Sequence, residues 1–211
     1  IYGPSMALMF GTKERPGANE NDEFLPVTAH GVKLLSMGLL INEADPVAVR
    51  GPLATRYVQQ FLRNVEWGDV DFLILDLPPG TGDIQLTIVQ TAELDGVVVV
   101  TTPQEVAQID ARKAIGRFDR VETPILGVVE NMSYFQCPSD GKIYHIFGEG
   151  GGEREAAKLG VPLLGKIPLD MATRSGGDEG RPVALEDPEQ NPVSAAFRQV
   201  AERCAQVVLN R

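Results

Sequence analysis

The densest chemistry in the sequence lies between Leu75 and Asp83, where LDLPPGTGD continues the aliphatic run VDFLI. An aliphatic strand ending in Asp76 puts a carboxylate at the strand tip. That position suits a water-mediated contact to a nucleotide-bound Mg²⁺. Gly80 and Gly82 permit unusual dihedrals and let backbone N–H groups approach a γ-phosphate. Pro78 and Pro79 stiffen the approach, so motion concentrates at the glycines. A loop of this kind reports whether the γ-phosphate is present. Asp83 opens the next helical stretch and serves either that helix as its N-cap or the site itself.

The elements that must position these residues follow from hydrophobic periodicity. Residues 1–28 are rich in Gly, Pro and Asn and read as loop. Strands are expected at Val32–Ile41, Val70–Leu75, Gly96–Thr102, Ile125–Met132 and Leu163–Ile167. Helices are expected at Pro52–Trp67, Ile84–Glu93, Glu105–Phe118, Glu153–Leu159 and Pro192–Leu209. The last carries Val193, Ala196, Phe197, Val200 and Cys204 on one face. Near-continuous aliphatic strands alternating with helices predict an α/β fold, a mostly parallel sheet with helices on both faces. No repeat or linker divides the chain, so one domain over 1–211 is expected. Ligands in such folds bind beyond the carboxyl ends of the strands, and the informative residues do follow strands.

Composition narrows the partners. The 211 residues are 43% hydrophobic and 23% charged, ordinary for a globular protein with a real core. A formal net charge of −10 repels phosphate backbones and anionic lipid heads. Nucleic acid and stable membrane association are therefore not expected. ATP is compatible with this charge, because backbone N–H groups, a few cations and Mg²⁺ bind it. Cys137 and Cys204 are too few and too far apart for a disulfide framework, and a reducing, cytoplasmic setting is expected. The longest apolar runs, such as GVVVV, are strand-sized. His30 and His145 read as structural loop histidines, with no second ligand spaced to join either.

The run LDLPPGTGD resembles switch II of the Mrp/ApbC iron–sulfur carrier ATPases, within the ParA/MinD-like deviant-Walker P-loop NTPases. IYGPS, AHGVKLLSMG, VRGPL, QQFLRNVEWGDVDFLILD, QLTIVQ, VVTTPQEVAQIDARKAI, GVVENMSYF, IFGEGGGE and GKIPLD extend the resemblance, in order, over essentially the whole chain. It implies an ATPase, working as a homodimer, that binds iron–sulfur clusters and transfers them to apo iron–sulfur proteins. Asp76 is then the Walker B carboxylate acting on Mg²⁺ through water, Gly80 senses the γ-phosphate, and Asp83 assists. Asn131 is implied to hydrogen-bond the adenine, a task for which an amide has both donor and acceptor; on its own it reads equally as a turn residue. Pro168 and Asp170 are implied to line the adenine pocket. Thr102-Pro103-Gln104 shares the signature without a role beyond shaping the site.

Two departures qualify the resemblance. No GKGGVGKS-like loop occurs in the sequence. In the family it precedes the segment resembling IYGPS, so the first strand and the P-loop are expected to lie upstream of Ile1. The chain alone is then expected to bind ATP poorly and to present an open sheet edge. The second departure is in the loop Cys137-Pro138-Ser139-Asp140, where the family's cluster carriers show a CPxC pair. The resemblance implies a 4Fe–4S cluster shared by two subunits, but Asp140 stands at the second cysteine position, and such clusters want thiolates. Asp140 replaces a thiolate, or an external ligand completes the shell, or the loop holds no cluster and Cys137 is an ordinary loop cysteine. The alternatives for the whole are a MinD/ParA-like positioning ATPase and a nucleotide-dependent scaffold without cluster binding. Against the first stands the closing AERCAQVVLNR, which is not a strongly basic anchor.

Overall fold

The structure is a computed structural model that describes residues 5–40, 51–77, 83–118 and 122–210. These gather into two units, one built from the chain up to Glu93 together with Gly176–Arg181, the other from Leu94–Ser175 together with the chain from Pro182 onward.

The first unit contains α1 (Ser5–Met9) and a ribbon of β1 (Gly17–Ala18) against β2 (Phe24–Leu25). Asn19 shapes the ribbon's turn, its Oδ1 accepting from the N–H groups of Asn21 and Glu23 at 2.9 and 3.0 Å. The next ribbon pairs β3 (Val27–Ala29) with β4 (Val32–Leu34). Its two-residue loop, His30-Gly31, has φ of 51° and 78°, the type I′ geometry that matches the strands' twist. Then come α2 (Met37–Leu40), α3 (Gly51–Arg63) and α4 (Asp83–Thr91). Leu35, Met37 and Phe61 form a core with Phe24, Tyr57 and Trp67 around them. Phe24 meets Phe61 edge-on, centroids 5.9 Å apart.

Three expectations change here. Residues 1–28 carry a helix and strands, because Asn19 and the short apolar pairs supply local order. The expected strand Val32–Ile41 stops at Leu34, and Met37–Leu40 turns helical; Ile41 lies outside the described residues. The run VKLLSMGLLI, apolar at most positions, offers too little period to separate strand from helix. The expected strand Val70–Leu75 forms no ladder with any described residue, and Phe72, Leu73 and Ile74 are exposed. Hydrophobicity supplies the tendency to be buried, but a strand also needs a partner for its N–H and C=O groups.

The second unit carries the principal sheet. After β5 (Val97–Thr101) and α5 (Glu105–Phe118) come β6 (Ile125–Glu130), a ribbon of β7 (Phe135–Gln136) with β8 (Ile143–Tyr144), α6 (Gly151–Leu159), β9 (Leu163–Lys166), the start of α7 (Met171–Asp178) up to Ser175, and α8 (Pro192–Leu209). Strands β5, β6 and β9 run parallel in that order, with Val99 beside Val128 and Glu130 beside Lys166. Alternation along β6 sends Val128 to one face, with Val99, Ile115 and Ala156, and Val129 to the other, with Leu164, Phe197 and Val200. Both faces are covered, as the aliphatic strands require. Asn191 caps α8, its Oδ1 accepting from the N–H groups of Val193 and Ser194, with Pro192 in the first turn. No helix among the described residues is long and apolar enough to cross a membrane.

Candidate functional site

Because the three strands run parallel, their carboxyl ends come together: Thr101 pairs with Glu130, and Glu130 with Lys166. Asn131 leaves β6 at this edge, its N–H donating to the Thr101 carbonyl at 2.7 Å. The following turn is laced to the end of β9. The Ile167 N–H donates to the Glu130 carbonyl, the Ser133 N–H to that of Ile167, and the Leu169 N–H to that of Tyr134, at 2.7–2.9 Å. Pro168 is thereby held alongside the turn that starts at Asn131. Met132 sits in the left-handed region at φ 51°, and its N–H donates to Asn131 Oδ1 at 2.9 Å. That bond leaves the Asn131 amide N–H groups and a second oxygen lone pair for a ligand. Asp170 lies three residues past Ile167 and caps α7: one carboxyl oxygen accepts from the Thr173 N–H at 2.7 Å and its hydroxyl at 3.1 Å.

Beneath Asn131 lies a knot that motif reading passes over. Glu130 is fully buried, and burying a carboxyl is costly unless it is hydrogen-bonded. Oε1 accepts from the Ser133 hydroxyl and Oε2 from the Gly152 N–H, both at 2.5 Å. The glycine-rich run at the head of α6 exists for this approach. A Cβ on Gly152 would lie 2.7 Å from Glu130 Cβ, and one on Gly151 2.4 Å from the Pro103 carbonyl. Buried Gln108 holds that same carbonyl at 3.0 Å. The first turn of α6 therefore faces protein groups, and the Gly152 N–H is already taken. A Glu closing the otherwise aliphatic ILGVVE was the available signal in the sequence.

The β7–β8 ribbon presents Cys137 and Asp140 at the ends of one turn. The Cys137 N–H donates to the Lys142 carbonyl at 2.9 Å, and the Gly141 N–H to the Cys137 carbonyl at 2.8 Å. Sγ lies 3.1 Å from Ser139 Oγ. The Ser139 hydroxyl, and then the backbone N–H groups of Ser139 and Asp140, hold the Cys137 thiol below its ordinary range. Asp140 is also held low, first by the Lys142 N–H at 3.0 Å. Burial pushes Cys204 the other way, and it packs under α8 against Val129 and Leu164. No group of three or more His, Cys, Asp or Glu side chains is placed to hold a metal ion among the described residues.

Asp76 belongs to the first unit, where it is exposed and borders a cavity of about 70 Å³ lined by Leu34, Leu35, Phe61, Leu73 and Leu75. Asp83 opens α4. Gly80 lies outside the described residues, as does the side chain of Asp83. His30 and His145 are engaged in loop contacts, with the Gly180 carbonyl at 3.3 Å and with Glu149 at 3.6 Å.

Residues 1–205 match the model of a ParA family described as NUBPL iron-transfer P-loop NTPase. An Arabidopsis thaliana protein named as a mitochondrial iron–sulfur protein required for NADH dehydrogenase is 45% identical over 202 residues, covering 96% of this chain and 64% of its own. The iron–sulfur cluster carrier protein of Escherichia coli K12 is 44% identical over 206 residues, covering 97% and 56%. That of Aquifex aeolicus is 44% identical over 210 residues, covering 99% and 57%. The chain thus spans between 56% and 64% of the lengths of these relatives. Among solved structures, an ADP complex of a nucleotide-binding protein from Archaeoglobus fulgidus superposes with a TM-score of 0.72 at 36% identity, over 85% of this chain and 70% of that one. The Pyrococcus furiosus cell division ATPase MinD, at 22% identity and a TM-score of 0.62 over 96% and 81%, shares the fold.

Proposed function

The chain belongs to the ParA family of P-loop NTPases, in its NUBPL iron-transfer group, and from that premise we propose that the protein is an ATPase that carries iron–sulfur clusters and delivers them to apo proteins. The observation that carries this reading is the edge formed by β5, β6 and β9, with the Asn131 amide open beside Pro168 in a chain 36% identical to an ADP-bound protein. Asn131 donates to and accepts from the adenine, and Pro168 forms a wall of its pocket. Asp170 fixes the end of that wall by capping α7. Asp76 holds Mg²⁺ through water, and Gly80 and Asp83 act at the γ-phosphate. An exposed carboxyl after an apolar run suits that ion's preference for oxygen ligands and retained waters. Mg²⁺ bound with the nucleotide supplies charge stabilisation on the phosphate oxygens.

Both units serve one domain over 1–211, a reading supported by a family match that runs through both. The protein works as a homodimer in a reducing, cytoplasmic compartment, with apo iron–sulfur proteins as clients. The cluster is cargo, and Cys137 is its ligand from this chain. Low-lying thiol and carboxyl groups at one exposed turn favour binding a cation there, and one thiolate per chain favours a labile, transferable site.

The test uses full-length protein, reconstituted anaerobically and assayed for ATP hydrolysis and cluster transfer to an apo acceptor. Asn131→Ala is expected to raise the KM for ATP about tenfold, the loss of one or two hydrogen bonds. Cys137→Ala is expected to abolish iron and sulfide binding while hydrolysis persists. Full iron retention by Cys137→Ala would remove the thiol as a ligand, and unchanged ATP kinetics in Asn131→Ala would remove the adenine contact.

A further inference from the structure

We propose that Glu130 is a positioning residue that makes the site choose adenine over guanine, acting through Ser133 and Met132 on the amide of Asn131. The inference rests on the reading of Asn131 as the adenine contact.

An asparagine amide recognises adenine by accepting from the exocyclic amino group and donating to the neighbouring ring nitrogen. Guanine carries a carbonyl where adenine carries that amino group. On the edge that carries N1, an acceptor in adenine and a donor in guanine, the same side chain accommodates guanine by turning its amide over, so that N–H faces the carbonyl and Oδ1 faces N1–H. An amide free to turn therefore discriminates poorly, and one that is pinned discriminates well. In this protein the Met132 N–H donates to Asn131 Oδ1 at 2.9 Å and pins it. Turning the amide over would set two N–H groups against each other.

That pin depends on Met132 staying left-handed, at φ 51°, a conformation disfavoured for a non-glycine residue. The turn is held by the side chain that precedes it. Glu130 Oε1 takes the Ser133 hydroxyl at 2.5 Å, closing a ring around Asn131 and Met132. Its other oxygen takes the Gly152 N–H at 2.5 Å, so the first turn of α6 anchors the clamp from behind. Glu130 and Ser133 are both buried, at 0% and 3% exposure. They reach the nucleotide only through the residues between them.

The experiment measures the ratio of KM values for GTP and ATP, with kcat, in full-length wild type, Ser133→Ala, Glu130→Ala, Glu130→Gln and Asn131→Ala. Wild type is expected to prefer ATP. Ser133→Ala and Glu130→Ala are expected to shrink that preference about fivefold or more through KM, with kcat within about twofold. Glu130→Gln is expected to restore it, since its amide oxygen still accepts from Gly152 and its N–H₂ still reaches Ser133 Oγ. A merely structural role would lower active protein without moving the ratio. Should Glu130→Ala fail to fold, Ser133→Ala, which removes one hydroxyl, decides. An unchanged ratio in Ser133→Ala, with weakened ATP binding in Asn131→Ala, overturns this inference alone. Unchanged ATP kinetics in Asn131→Ala overturn the adenine reading and the inference with it, and a wild type indifferent to the base overturns the inference.

Discussion

Cys137 and Asp140 meet across one turn, where a thiolate beside a carboxylate would raise the thiol pKa through like-charge repulsion. The turn reverses that outcome by hydrogen bonding: the Ser139 hydroxyl contributes most to holding the thiol low, ahead of the N–H groups of Ser139 and Asp140. The sign follows from which form is stabilised. Donors that favour the thiolate extend it to lower pH, and removing one moves the titration up. Ser139→Ala is therefore expected to shift the midpoint of Cys137 alkylation by iodoacetamide to higher pH, leaving Cys204, which burial holds high, the slower thiol throughout. Mass spectrometry of the two cysteine peptides across pH 6–10 reads this directly. A midpoint unmoved by Ser139→Ala would mean that the backbone N–H groups carry the whole effect. On the proposed reading of Cys137 as a cluster ligand, its low-lying thiol favours the binding form, whereas Asp140 offers iron a harder donor than sulfur.

At the scale of elements, α5 and α6 are joined by a pair that is buried on one side only. Glu155 is 1% exposed, and Arg112 Nε reaches both its oxygens at 2.8 and 2.9 Å, with Lys158 at 3.7 Å. Arg112→Ala strands a buried carboxyl with one weak partner and is expected to destabilise the protein by about 2 kcal/mol, read as a lower urea midpoint at unchanged slope. Replacing both, as Arg112→Met with Glu155→Leu, is expected to recover most of that loss, because no unpaired charge remains. This pair was not legible in the sequence, since nothing in the order of residues says that Arg112 and Glu155 face each other. The elements themselves were. Glu105–Phe118 and Pro192–Leu209 have the expected bounds, and β5, β6 and β9 differ from expectation by one or two residues at an end. Periodicity and capping decide such elements locally. Val70–Leu75 misled because its strand character depends on a neighbour, and Ser5–Met9 and Met37–Leu40 because short helices leave little period to read. That Asn131 directly follows the strand end at β6 was legible in the sequence. The Glu closing ILGVVE stood out in the sequence but its burial did not, because a strand-end glutamate looks the same whether it faces water or closes a buried clamp.

For the whole molecule, the governing question is how much of nucleotide binding these 211 residues supply. On the proposed reading they supply a base-facing edge at β6 and β9 and the carboxylate of Asp76, but the sequence contains no glycine-rich, lysine-bearing loop to meet the β- and γ-phosphates. With an excess of ten negative charges, nothing in the overall field replaces that lysine. Phosphate contacts dominate the affinity of P-loop proteins for nucleotide, so base contacts alone leave binding weak. Linkage turns this into a measurement. A ligand at about 100 times its Kd stabilises the folded state by about 2.7 kcal/mol, which raises the unfolding temperature of a protein this size by roughly 5 °C or more. Millimolar ATP with Mg²⁺ is expected to produce no such shift in the 211-residue chain. A shift of that size would place the main phosphate-binding groups inside it. The glycine-rich loop after Asp76 would then be the first segment to mutate, because the other glycine-rich run, at the head of α6, has its Gly152 N–H committed to Glu130.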